Sequence, residues 1–131
     1  MKLPQSLDTL RFYFNKRRLT GKDFLELCRA NNITLRITVG CGRGFYYSVR
    51  GRHFITLSAD LSREEREWVA WHEFAHFLQN YYACKTVAAF SDVEPDKATE
   101  KLADAFANIA MGHYRMTGPM DFIKMLMRTK Q

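Results

Sequence analysis

The chain has 131 residues, 47% of them hydrophobic and 26% charged, with a formal net charge of +6. That is the composition of one globular domain with room for a real core, expected to span residues 1–131. No apolar run approaches the roughly 18 residues of a membrane span, and the opening MKLPQSLDTLRFYF holds no uninterrupted apolar stretch, so neither a membrane span nor a secretory signal is expected.

The three cysteines, Cys28, Cys41 and Cys84, are odd in number, scattered and without a C-x-x-C pair. That usage suits free thiols in a reducing compartment, so a cytoplasmic location is expected. Residues 1–58 hold eleven Lys and Arg against three Asp and Glu, whereas residues 59–131 hold nine against eleven. The basic half could face nucleic acid or an acidic protein, but a solvated basic surface accounts for it as well. No recognition motif accompanies the charge, so direct nucleic-acid binding ranks last among the functional readings.

Leu3, Leu7, Leu10 and Phe14 follow helical spacing, which predicts a helix over residues 6–17 with Ser6 as its cap. Thr20-Gly-Lys-Asp23 resembles a capping box and opens a second helix that Asn31-Asn32 ends. Residues 34–39, 45–49 and 53–57 are rich in Ile, Val, Thr, Phe and Tyr and read as strands. Gly-containing turns separate them, which suggests a meander of hairpins. Ser62-Arg-Glu-Glu65 is a second capping box and starts a long helix. Residues 80–95 read as a loop with a short strand at 86–90, followed by a helix over 96–113 whose Ala103 and Ala107 permit close packing. Gly118-Pro119 breaks the chain before a short final helix carrying Phe122, Ile123, Leu126 and Met127. The sum is an α+β domain, a short three-stranded antiparallel or mixed sheet packed on helices.

The long helix carries His72-Glu73-Phe74-Ala75-His76. Residues four apart share a helix face, so the two imidazoles project side by side and can hold one metal ion, with Glu73 next to them to work on a water. Trp68, Val69, Ala70, Trp71, Phe74, Ala75, Phe77 and Leu78 surround them, so this helix is buried. Unpaired polar groups there would each cost about 1–3 kcal/mol. A metal would offset that cost, and core histidines satisfied by hydrogen bonds are the plainer alternative. A catalytic zinc site wants a third ligand. Glu100, 24 residues after His76, is the candidate, and Asp104 on the same face could accept a ring N–H from a ligating histidine. Taken alone, either carboxylate would read as a surface residue.

These residues resemble the ImmA/IrrE family of metallopeptidases, small relatives of the gluzincins. The resemblance covers residues 23–111. It includes Gly44-Phe45-Tyr46, Ile55 to Ser58, Arg63 and Arg66, the H-E-x-x-H, and Glu100-x-x-Ala103-Asp104-x-Phe106-Ala107. It implies a gluzincin-like fold with the motif on a central buried helix. It implies zinc, with manganese as the alternative, held by His72, His76 and Glu100, and Glu73 as general base. It also implies a helix-turn-helix regulator as partner and substrate, in mobile elements or stress responses. The chain departs from the family in reading Asn108-Ile-Ala-Met111-Gly-His-Tyr114 where a Leu-[LM]-Pro ending is usual, and in showing no helix-turn-helix of its own. A stand-alone peptidase or a shortened chain is therefore expected.

The expected function is zinc-dependent endoproteolysis of a specific regulator, with an extended substrate added to a sheet edge, nominally residues 53–57. His113 and Tyr114 are candidates to stabilise the oxyanion, along with Tyr46, Tyr47 and Tyr81, whereas His53 reads as a strand residue. The alternative is a metal-containing module that inactivates a regulatory partner by contact without cutting it.

Overall fold

The computed structural model describes residues 3–40, 42–82, 97–117 and 121–128. A 3-10 turn Gln5–Leu7 leads into α1 Asp8–Tyr13, then α2 Gly21–Ala30, β1 Ile33–Thr38, β2 Gly44–Val49, β3 Arg52–Ser58, α3 Arg63–Gln79, α4 Lys97–Ala110 and α5 Phe122–Arg128. The expected loop at 80–95 with its strand, Cys41, Cys84 and the Gly118-Pro119 break lie wholly or largely outside the described residues. Among the described residues no helix is long and apolar enough to cross a membrane.

The first helix is shorter than its periodicity suggests, and Ser6 does not cap it. Phe14 is already extended and Asn15 takes a left-handed φ of 66°. The Asn15 amide is held by a reciprocal pair with Met116, donating to its carbonyl at 3.1 Å and accepting from its N–H at 2.8 Å. That tertiary pairing outweighs helical spacing. Both capping boxes form as expected. Thr20 Oγ1 accepts from Asp23 N–H while the Asp23 carboxylate accepts from Thr20 N–H at 2.8 Å. Ser62 and Glu65 repeat the exchange at the start of α3. Each cap stabilises its helix by about 1 kcal/mol. Burial opposes the charge on Asp23, but hydrogen bonds from Arg17 and Thr20 outweigh it and hold that carboxyl below its usual range.

The sheet is mixed, not a meander. Its order is β1-β3-β2, with β1 parallel to β3 and β2 antiparallel to it. β3 is the most buried strand, with Ile55 to Ser58 all enclosed, and it takes the central place. An extended substrate therefore cannot add to residues 53–57, because both edges of that strand are paired. Among the described residues the free edges belong to β1 and β2. Ser58 N–H donates to the Arg43 carbonyl at 2.9 Å, and antiparallel pairs alternate, so Gly44, Tyr46 and Ser48 turn their backbone groups to the outer edge of β2.

α3 packs on β2 and β3 on one side and on α4 and α5 on another, which is why it is buried nearly all round. Trp71 and Phe74 meet Phe24 of α2 and Phe106 of α4, and Phe106 stacks on Phe14 at 5.0 Å. Burying each such ring contributes about 1.5–3 kcal/mol. Ala75, Ala103, Ala107 and Ala110 are fully enclosed, and their small side chains let α3 and α4 approach. Gly112, with φ 76°, ends α4 in the left-handed conformation that favours glycine. Cys28 is buried, and that burial pushes its thiol up to about 12, so it is an inert core residue.

Gly44 fixes how closely β2 approaches α3. A Cβ there would stand 2.7 Å from the Thr56 carbonyl oxygen and 2.9 Å from Val69 Cγ1. Gly44→Val is expected to destabilise the fold by about 1–3 kcal/mol, read as a lowered urea midpoint with an unchanged slope. An unchanged midpoint would mean that the contact relaxes freely.

Candidate metal centre

α3 and α4 run antiparallel with a shared step of four residues. Trp68 Nε1 donates to Asn108 Oδ1 at 2.8 Å. One turn on, His72 faces Asp104 and Glu100, and one turn further His76 faces Glu100. At the end, Gln79 Nε2 donates to the Thr99 carbonyl at 3.0 Å. Side chains at i and i+4 lie on one face, so each helix presents a polar stripe and the stripes meet.

At the middle of this seam three ligand atoms converge. His72 Nε2 lies 3.0 Å from Glu100 Oε2, His76 Nε2 lies 3.1 Å from Glu100 Oε1, and the two Nε2 atoms are 3.2 Å apart. The three side chains can bring ligand atoms within 4.8 Å of one another.

The proton positions follow from the partners. The Thr99 carbonyl only accepts, so the Gln79 atom facing it is the NH₂ and Gln79 Oε1 is left to accept. Gln79 Oε1 lies 2.8 Å from His76 Nδ1, which therefore carries the proton and leaves a lone pair on Nε2. His72 Nδ1 is buried 2.9 Å from Asp104 Oδ1; the approach is off the line of a good hydrogen bond, but a carboxylate so close favours the proton there. Trp68 stacks on the His72 ring at 5.3 Å and limits its rotation.

With the proton on Nδ1 of both rings, two imidazole lone pairs and a carboxylate face one another, an arrangement a cation would resolve. Bonds of about 2.0–2.2 Å to a tetrahedral metal place neighbouring ligand atoms about 3.3–3.6 Å apart. The observed separations lie a few tenths of an ångström below that spacing, and two imidazoles with one carboxylate form a donor set suited to zinc.

Glu73 sits beside this group, its Oε2 3.9 Å from His72 Nε2, and it is buried. Burial, reinforced by the nearby Glu100 charge, pushes its carboxyl up to about 8, while a hydrogen bond from Tyr46 N–H acts the other way. A dication at the site would also favour the ionised form. That bond uses an outward-facing amide of β2, so the carboxylate stands at the open edge of the strand.

The structure thus brings together His72, Glu73, His76, Glu100 and Asp104. It does not bring His113 or Tyr114 to them. Both side chains are exposed, and α4 alone carries the chain about 15 Å from Glu100 to Ala110. No described contact links either residue to the cluster. Tyr47 lies on the opposite face of the sheet, stacked on Phe54 at 4.7 Å. Tyr46 turns its hydroxyl to His53 Nδ1 at 2.9 Å, and Tyr81 packs on Phe77. His53 is the strand residue it was expected to be.

Sequence reasoning missed Gln79, Trp68, Asn108 and the Tyr46 amide. The first three carried a signal. Trp68 and Asn108 extend the four-residue steps of the two stripes, and Gln79 is a buried amide one turn after His76. The backbone amide carries no signature in side-chain identity.

The family model Peptidase_M78, described as the IrrE N-terminal-like domain, matches residues 30–117, which include every residue of the cluster. No curated protein and no solved structure matches the chain significantly.

Gln79→Leu is expected to weaken zinc binding about 10–100-fold, the usual effect of losing a partner that orients a ligand. Competition against a chromogenic chelator measures this, with a melting curve to confirm folding. Unchanged affinity in a folded variant would show that Gln79 serves packing alone.

Proposed function

The chain belongs to the Peptidase_M78, IrrE N-terminal-like family of metallopeptidases, and from that premise we propose that it is a zinc-dependent endopeptidase that cuts a specific protein, a helix-turn-helix transcriptional regulator. The observation that carries the reading is a buried carboxylate, Glu73, beside three converging ligand atoms and at an open strand edge.

His72, His76 and Glu100 would hold the metal, zinc in first place and manganese as the alternative, and Asp104 and Gln79 would orient the imidazoles. When bound, the cation supplies Lewis acidity toward the scissile carbonyl and the attacking water. Glu73 accepts a proton from that water as its oxygen bonds to the carbonyl carbon. It returns the proton to the departing amine as the C–N bond breaks. The hydrogen bond that Glu73 accepts from the Tyr46 N–H holds the carboxylate on the strand-edge side.

The substrate would be held as an extended strand along the outer edge of β2, where Gly44 and Ser48 also present their backbone groups. Among the described residues no group is yet positioned on the oxyanion, the role expected of His113 or Tyr114.

The alternative, a metal-holding module that inactivates its partner by contact, gives Glu73 no task. Burying a carboxylate without a task costs stability.

Cells producing the wild type or Glu73→Gln can be compared by mass spectrometry of new protein N-termini. The wild type is expected to yield a small set of cuts in transcriptional regulators. Glu73→Gln should lose them, since removing a general base slows hydrolysis about 10²–10⁴-fold. Inactivation of the partner by both proteins with no cut in either would favour the binding module.

A further inference from the structure

The far edge of the sheet has a second surface that catalysis does not use. Ala59 N–H donates to the Thr38 carbonyl at 2.8 Å, so in the parallel pair Thr34, Arg36 and Thr38 turn their backbone groups toward β3. Ile33, Leu35 and Ile37 turn theirs outward, where no other strand pairs with them among the described residues. Leu35 and Ile37 point their side chains into an open groove of about 190 Å³ between β1, α2 and α3. Phe24, Leu25, Leu57, Ala70 and Trp71 complete its apolar wall. Leu25 and Ile37 are each 51% exposed, and Val39 beyond them is 67% exposed. Edge strands in monomeric proteins are usually blunted by proline, a bulge or an inward-pointing charge. β1, reading ITLRIT, has no proline, and its one charge, Arg36, lies on the opposite face over the Phe54 ring.

The charge around this edge identifies the occupant. Arg36 of β1 and Arg52 of β3 lie on the face of the sheet away from the groove, where the described strands place no carboxylate. Of the two charged residues lining the groove, Glu67 is paired with Arg18 at 3.5 Å, while Arg66 donates to the Ala59 and Leu61 carbonyls and makes no ion pair among the described residues. A second copy of the chain pairing edge to edge would bring two basic surfaces together, which opposes self-association. We propose that the β1 edge and its groove dock an extended segment of a partner protein in which apolar residues alternate with Asp and Glu. The segment adds as a fourth strand, its apolar side chains fill the groove over Leu35 and Ile37, and its carboxylates face the arginines. This docking is independent of the metal and of Glu73.

The probe is the peptide acetyl-Glu-Ile-Asp-Leu-Glu-Ile-Asp-amide, titrated into the isotope-labelled chain and followed by amide NMR. Its counterpart with lysine at every acidic position is the control. Shifts are expected at Ile33, Leu35 and Ile37, with binding weakened by salt and about tenfold by Ile37→Lys, the order of a lost interface anchor. Ile37 is half-exposed, so that variant should keep its melting temperature. The proposal is overturned by an absence of shifts, by equal binding of the lysine peptide, or by shifts at Gly44 and Tyr46 instead. Sedimentation showing that the free chain dimerises through β1 would overturn it in favour of a second copy.

Discussion

Two imidazole nitrogens and a carboxylate meet within 3.0–3.2 Å, so a proton or a cation must lie among them. The meeting of α3 with α4 is organised around that constraint. The helices run antiparallel in a common four-residue step, so the polar stripe of one meets the polar stripe of the other, while alanines let the backbones approach on the sides of the seam. The ends of the seam are tied by neutral hydrogen bonds, Trp68 to Asn108 and Gln79 to the Thr99 carbonyl. These ties fix the register before any cation arrives, and they orient the rings whose lone pairs would receive it.

The sheet supplies the second half of the site. β2 approaches α3 closely because Gly44 has no side chain to meet Val69 and Thr56. That approach puts the Tyr46 amide on Glu73 and leaves the outer edge of β2 open beside the cluster. The same packing removes Glu73 from water and raises its pKa. Strand position, access and basicity thus share one cause, the close seating of an edge strand on a buried helix. Because β3 lies in the middle, the sheet has, among the described residues, two free edges of different character. The β2 edge meets the ligands, and the β1 edge runs beside an apolar groove among arginines.

Much of this was legible from residue identity. Both capping boxes, three strands in their places, the long helix and the helix bearing Glu100 and Asp104 follow from local chemistry and periodicity, and they form where that chemistry puts them. The convergence of His72, His76, Glu100 and Asp104 was legible as well, because four-residue spacing on two helices has only one geometric reading once the helices are neighbours. What was not legible depends on contacts between distant parts of the chain. The end of α1 is set by Asn15 meeting Met116 across 101 residues of sequence. The parallel pairing of β1 with β3 is set by burial of β3 and not by the turns, which alone suggested hairpins. The exposure of His113 and Tyr114 follows from Gly112 ending α4 and turning the chain toward Arg18.

The polar seam of α3 and α4 is proposed to hold a metal ion. The most direct test is the metal content of the purified protein, wild type against Glu100→Ala, after equilibration with zinc. One zinc per chain in the wild type, lost or much weakened in the variant, is the expected result. A wild-type chain that takes up no metal, or a Glu100→Ala chain that holds it as tightly, would contradict the account and return His72 and His76 to the role of core histidines.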